Sequence, residues 1–283
     1  MQSMAESTTS SIAPPDLRNE FKQRARDQWS ANPCGANAAD GFEYGSRDYF
    51  EAIEKYRYEV YAPWMKRVIG FDEFAGKSLL EIGCGTGTDL LQFARGGASV
   101  TGLDLTPRSI EIARRRFEVY GLQGSFGIGD AENLAFPDAS FDAVYSFGVL
   151  HHTPRTARAV EEVYRVLRPG GRAIVMLYHK SSLHYWAGLV FKHGLLHREL
   201  FHSSIADIMS RRVEHGSDHA RPLVKAYTRA EARGMFSAFS GCEIIVDQLT
   251  RRELRPFGGL LPDNLFRRLA RAFGWNLIIK ATK

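Results

Sequence analysis

The sequence has few cysteines: Cys34, Cys84 and Cys242 are the only three in 283 residues. None forms a C-x-x-C pair, which excludes a disulfide framework and a thiolate metal site and suits a reducing, cytoplasmic setting. It also lacks an apolar run of about 18 residues, so no membrane-spanning helix is expected. The opening MQSMAESTTSSIAPP is polar and small rather than basic then apolar. It reads as a disordered tail over residues 1–15, not as a signal peptide. Charge of one sign is missing from the first part of the chain and modest in the second. From Tyr178 onward there are 17 Lys and Arg against 9 Asp and Glu, and before it 20 against 23. The basic excess is scattered over helix-like patterns without the interleaved aromatics of a nucleic-acid platform. It reads as a solvated face, and no nucleic-acid partner is expected. The spacings His193-x3-His197 and His215-x3-His219 would suit metal ligands on a helix. The second falls in a Gly/Ser/Asp loop and no H-E-x-x-H or third ligand accompanies either, so no metal is expected.

The hydrophobic fraction, 44%, is enough for a sizeable core. Residues 16–75 read as helical and aromatic, with Phe21, Trp29, Tyr49, Phe50, Tyr56, Tyr58 and Trp64 at mixed three-to-four spacing, an amphipathic lid. From Gly76 short apolar runs alternate with helical stretches: SLLEIGC, TDLLQFARGG, SVTGLDL, PRSIEIARRRFEVYG, then GSFGIGDA, FDAVYSFGVL, ARAVEEVYRVL, the turn RPGG and the strand RAIVMLYHK. This alternation is the pattern of an α/β fold whose parallel sheet is joined by right-handed crossovers. It stops at about residue 181. An insertion to residue 240 carries SLHYWAGLVFKHGLL, SIADIMSRR and the polar loop HGSDHARP, and ends in TRAEARGMFSAF, where Thr228 and Glu231 have capping-box spacing. Residues 241–283 supply two closing strands, GCEIIVDQLT and WNLIIKATK, around the helix DNLFRRLARAF. Neither repeats nor a second domain are evident.

The stretch LLEIGCGTGTDLL carries glycines at 83, 85 and 87 preceded by Glu81. A dinucleotide fingerprint, G-x-G-x-x-G, would need its third glycine at Thr88. A carboxylate before the turn repels a pyrophosphate but suits a cofactor bearing an ammonium and a sulfonium. Asp104 ends the second strand, where a carboxylate accepts hydrogen bonds from a ribose diol. Asp130 closes the third strand, Phe141-Asp142 starts the fourth, and LRPGG precedes the fifth.

As a set, E-x-G-x-G-x-G, TGLDL, GDAENL, SFD and LRPGG resemble the class I S-adenosylmethionine-dependent methyltransferases, in particular the small-molecule branch of ubiquinone and menaquinone methylases. The resemblance is close over 76–180 and looser after it. It implies a Rossmann-like seven-strand sheet, mostly parallel with an antiparallel last strand and helices on both faces, in one domain over 16–283. It implies S-adenosyl-L-methionine as cofactor. Glu81, Gly83, Gly85 and Gly87 would hold its methionine part and ribose, and Asp104 with Leu105 its ribose and one adenine face. Asp130 and Ala131 would meet the adenine edge, Ser146 and Phe147 the sulfonium end, and Arg57 the cofactor carboxylate.

Methyl transfer from a sulfonium is an in-line displacement, so the protein must align an acceptor, exclude water and remove a proton where the nucleophile carries one. Candidates for the last task sit where the fourth and fifth strands end: His151, beside His152, and Tyr178 with His179. Asp218 is a candidate acceptor contact, and the apolar LHYWAGLVF reads first as core, with an apolar acceptor or a membrane surface as the alternative. The expected activity is methylation of a small molecule at oxygen, nitrogen or carbon. Alternatives are non-methyl chemistry of the same cofactor with release of methylthioadenosine, a nicotinamide oxidoreductase, and a non-catalytic binding module.

Overall fold

The computed structural model describes residues 19–214 and 221–283. The tail expected over 1–15, Asp218 and the His215/His219 spacing lie outside them. Eight strands form one sheet: β1 (Ser78–Ile82), β2 (Ser99–Asp104), β3 (Ser125–Ile128), β4 (Phe141–Phe147), β5 (Leu167–His179), β6 (Ala226–Tyr227), β7 (Gly241–Asp247) and β8 (Asn276–Thr282). Their order is β3-β2-β1-β4-β5-β8-β7, and the two-residue β6 runs parallel to the end of β5. β8 is antiparallel to both neighbours, β5 and β7. The expected sheet is therefore present, with β6 as an addition: Ala226 and Tyr227 lie beside Tyr178 and His179 after the insertion returns. The RPGG stretch is no free turn. It is absorbed into β5, whose register against β4 slips between Phe141 and Ala143, with Gly170 at φ 76°.

The helices follow from local signals. α4 (Thr88–Arg95) starts directly after the glycine loop. α5 (Pro107–Tyr120) has Thr106 as N-cap, its hydroxyl accepting from the Ser109 amide, Pro107 at the first position and left-handed Gly121 past its end. α6 (Thr156–Val166) precedes β5. α8 (Arg229–Met235) begins with the expected box, Thr228 and Glu231 capping each other reciprocally.

β1 is buried along almost its whole length because helices cover both faces of the sheet. On one face, Leu79, Val100, Tyr145 and Met176 pack with Leu91 and Phe93 of α4 and Ala113 and Phe117 of α5. On the other, Leu80, Val144 and Val175 pack with Val160 and Val163 of α6 and Phe236 beyond α8. Alternate residues of each strand thus reach opposite cores.

Ahead of β1 come α1 (Glu20–Ala31), α2 (Arg47–Lys55), a π-wound turn Tyr56–Tyr61 and α3 (Met65–Ile69). α2 packs Tyr49, Phe50 and Ile53 against Ile112 of α5. After β5 come a π-wound helix His184–Leu196 and α7 (Ile205–Arg212), and α9 (Asp263–Phe273) lies between β7 and β8. Among the described residues no helix is long and apolar enough to cross a membrane. The strand order reverses at β1 and β4, so the crevice outside their carboxyl ends is where a ligand belongs.

Candidate active site

The crevice is floored by the glycine loop between β1 and α4. Gly83, Gly85 and Gly87 all have positive φ, at 75°, 50° and 72°. A Cβ on Gly83 would stand 2.2 Å from Val149 Cγ2, so the loop can lie against the end of β4 only without one. Gly85 has no heavy atom within 4 Å of such a position, and its amide donates to Asp104 Oδ2 at 2.9 Å. Asp104 Oδ1 accepts from the Thr106 amide and hydroxyl at 2.9 and 3.0 Å. Burial lifts the Asp104 carboxyl above its ordinary range, against the hydrogen bonds from Thr106 and Gly85. The loop is thus held on the carboxylate that ends β2, with half-buried Leu105 beside it.

Glu81 is 3% exposed, between Gly102 of β2 and Tyr145 of β4. Its Oε2 has no hydrogen-bond partner, and burial, then neighbouring Asp89, push its pKa well up. An orphaned carboxylate under a glycine loop is a site for a cationic group, because pairing would remove its desolvation penalty. This fits the ammonium of S-adenosylmethionine and not a pyrophosphate.

Asp89, on the first turn of α4, is the hub of the site. It accepts from Arg57 Nε and Nη2 at 3.1 and 2.5 Å and from the hydroxyls of Tyr58 and Tyr145 at 2.8 Å each. Burial opposes its charge, yet Arg57 and the two tyrosines hold it below the usual carboxylate range. The Arg57 guanidinium also lies 4.3 Å from the centre of the Phe147 ring and 5.5 Å from that of Tyr61. Arg57 therefore reaches the site, but its main partner is Asp89. Phe147 and Tyr145 share a face of β4, whereas Ser146 points the other way and donates to Ile82 O at 3.0 Å. Contrary to expectation Ser146 ties β4 to β1, for the reason that neighbours on a strand face opposite sides.

At the adenine edge the structure also differs. Asp130 Oδ2 accepts from Lys22 Nζ of α1 at 2.5 Å and Oδ1 from the Glu132 amide at 2.9 Å, so this carboxylate is engaged rather than open. Burial works against the Lys22 ammonium, but Asp130 and Glu132, the latter at 2.9 Å, outweigh it and raise its pKa. Ala131 is buried in the core behind them.

On the other side of Phe147 lies a cluster of ring and carboxylate groups. Tyr178 donates to Glu214 Oε1 at 2.7 Å, and His152 Nε2 is 3.7 Å from the same oxygen. His152 Nδ1 is 2.7 Å from Leu223 O, a contact that places its proton there and leaves Nε2 as the basic nitrogen. The His151 ring is stacked 3.9 Å from that of Tyr178 and fully buried. Neither of its nitrogens has a partner at normal geometry, the Met176 backbone being only a loose one. Burial, then His152 and Lys225, depress its pKa well below ordinary histidine, so it is neutral. His179 does not join this group. It follows Tyr178 on β5, faces the opposite core and sets Nδ1 2.9 Å from Gly274 O.

Cys34 is exposed, and its thiol pKa is raised by its surroundings, with Arg57 acting in the opposite direction. Asp89 could have been suspected from its place directly after the loop. Glu214, Cys34 and Lys22 carried no sequence signal, since each acts through a partner far away in the chain.

The geometry has counterparts among known proteins. The family profile described as "Methyltransferase domain" matches residues 80–175. A phthiotriol/phenolphthiotriol dimycocerosates methyltransferase of Mycobacterium leprae is 35% identical over 195 residues, 68% of this chain and 69% of the relative. A fatty-acid O-methyltransferase of Mycolicibacterium smegmatis is 47% identical over 98 residues, 34% of this chain and 35% of the relative. Among solved structures, a SAM-dependent methyltransferase from Methanosarcina mazei superimposes with a TM-score of 0.55 at 21% identity, covering 76% of this chain and 96% of the other.

Proposed function

The chain belongs to the class I S-adenosylmethionine-dependent methyltransferases, and from that premise we propose that its acceptor is an apolar small molecule methylated at an oxygen beside Glu214. The observation that carries this reading is the acceptor side itself: one carboxylate, Glu214, held by Tyr178 at 2.7 Å amid the rings of Trp29, His151, His152 and Trp275. The names of the mycobacterial relatives, lipid and fatty-acid methyltransferases, support the same class of acceptor.

When bound, S-adenosylmethionine supplies a methyl group made electrophilic by its sulfonium charge. The residues proposed to hold it are Glu81 for the ammonium, Arg57 for the carboxylate, the loop of Gly83, Gly85 and Gly87 beside it, and Asp104 for the ribose hydroxyls. Leu105 and the Asp130–Lys22 pair border the adenine, and Phe147 the sulfonium. Asp104 retains acceptor capacity beyond its three hydrogen bonds, since a carboxylate offers about four lone-pair directions. Glu214 takes the acceptor's proton, Tyr178 orients Glu214, and His152 Nε2, the unprotonated nitrogen 3.7 Å from the same oxygen, takes that proton on from Glu214. His151, neutral and buried, packs Tyr178 in place and relays no proton. The aromatic walls exclude water from the reacting oxygen. The three cysteines are free, which supports a reducing, cytoplasmic location.

The test is incubation with S-adenosylmethionine and a series of carboxylic acids and phenols of increasing apolar length, with mass spectrometry of both products. Methyl esters or ethers together with S-adenosylhomocysteine, formed faster as the apolar part lengthens, support the reading. Methylation confined to short polar amines would overturn it.

A further inference from the structure

Fourteen large apolar residues are exposed among the described residues, and nine of them lie between Trp186 and Phe273. Trp186, Phe191 and Leu195 follow one another at steps of five and four on the helix His184–Leu196, which its i→i+5 winding brings to one side, with Leu196 next to Leu195. Phe257 and Leu260, 68% and 82% exposed, stand on the loop before α9. α9 buries only Ala270, which leaves Leu265 and Phe273 in solvent.

These segments are tied to one another. His184 of the helix meets Glu253 of the loop at 3.2 Å, and Arg251 joins the loop to α9 through Asp263 at 2.5 Å and through the Phe266 ring at 4.7 Å. Those contacts use the acids at hand. Lys192, Arg252, Arg255, Arg267 and Arg268 are exposed and have no ion-pair partner among the described residues. From His184 a short stack of rings leads inward, to Trp275 at 4.9 Å and on to Tyr178 at 4.5 Å.

We propose that this face docks on an anionic lipid surface, with Trp186, Phe257 and Leu260 entering the headgroup boundary and the arginines of the loop and α9 resting on lipid phosphates. Charge complementarity selects this occupant. A second copy of the chain, related by a two-fold axis, would set unpaired cations against the same cations. The inference rests on the apolar-acceptor reading and deepens it by naming where the acceptor comes from: the lipid phase, beside the ring stack that ends at Tyr178.

The experiment is co-sedimentation of the full chain with vesicles of phosphatidylcholine alone and with added phosphatidylglycerol. Binding is expected to be at least about tenfold tighter to the anionic vesicles and to weaken as salt shortens the Debye length. Arg267→Gln with Arg268→Gln should lower it on the order of tenfold. Phe257→Ser with Leu260→Ser should lower it comparably at unchanged melting temperature and S-adenosylmethionine affinity. Absence of binding to both vesicles, or full binding by the Phe257→Ser/Leu260→Ser protein, overturns the proposal. So does a wild-type dimer that these two substitutions split, which would make the face a self-interface. Vesicle binding needs no turnover, so vesicle binding without methylation of long-chain acids would sink the acceptor reading alone.

Discussion

Asp104 joins local structure to the proposed ribose contact in a single side chain. It fixes the Gly85 amide and Thr106 while facing the crevice. Replacement by Ala removes the loop's strut and the proposed ribose acceptor together, so S-adenosylmethionine affinity should fall by about 1–3 kcal/mol in calorimetry. Unchanged affinity would take Asp104 out of the cofactor site. Tyr178 is the corresponding test on the acceptor side. Tyr178→Phe keeps the stack with His151 and Trp275 but removes the hydrogen bond to Glu214. Turnover should drop roughly 10- to 100-fold, the worth of a hydrogen bond to a charged group, while cofactor affinity stays put. Equal turnover would return Tyr178 to packing. His179, its neighbour in sequence, is the contrasting case. The same composition signal marked both, and the pleat of β5 sent them to opposite faces.

At the scale of elements, what holds the central strands in register is partly electrostatic. Asp142 at the start of β4 accepts from the Ser78 amide and hydroxyl of β1, at 2.8 Å each, and pairs with Arg168 of β5 at 2.9 Å. Its pKa is lowered to about 2, the Ser78 amide being the chief cause and Arg168 assisting against burial. A carboxyl depressed in the folded state from its ordinary 3.8 adds stability that is complete above that value and is lost as pH falls toward about 2. Because the side chain is 29% exposed, solvent screening brings its worth to about 1–2 kcal/mol. Asp142→Asn should lose that much in denaturant titrations at pH 7 and nothing near pH 2. A loss that does not change with pH would mean that geometry, not charge, holds the three strands. The same scale shows why boundaries were harder to read than elements. The RPGG signal is a turn by composition, but pairing with β4 and β8 drew it into β5 as an irregular stretch.

Across the whole molecule, distant segments meet at the cofactor crevice. Lys22 of α1 spans 108 residues to reach Asp130, with both side chains nearly buried, and pairs with Glu132 as well. Lys22→Met should leave Asp130 without its cation and Glu132 with Arg155 alone. The expected result is loss of hydrogen-exchange protection across α1 by about 3 kcal/mol while β1 and β4 keep theirs. Unchanged protection of α1 would show that packing on α5, not this pair, holds it. The sequence by itself determined the alternating α/β sheet, the glycine loop with Glu81 and Asp104, and the cofactor, because those signals are local: hydrophobic period, turn residues and a carboxylate at a strand end sit within a few positions of one another. Only the tertiary structure decided that Asp89 gathers Arg57, Tyr58 and Tyr145, that Ser146 is a strand tie and His179 a backbone ligand, and that Glu214 faces Tyr178. Those outcomes depend on which face of a strand a residue takes and on which far segment folds over it, and pairwise contacts across 31 to 95 residues leave no pattern in a single chain.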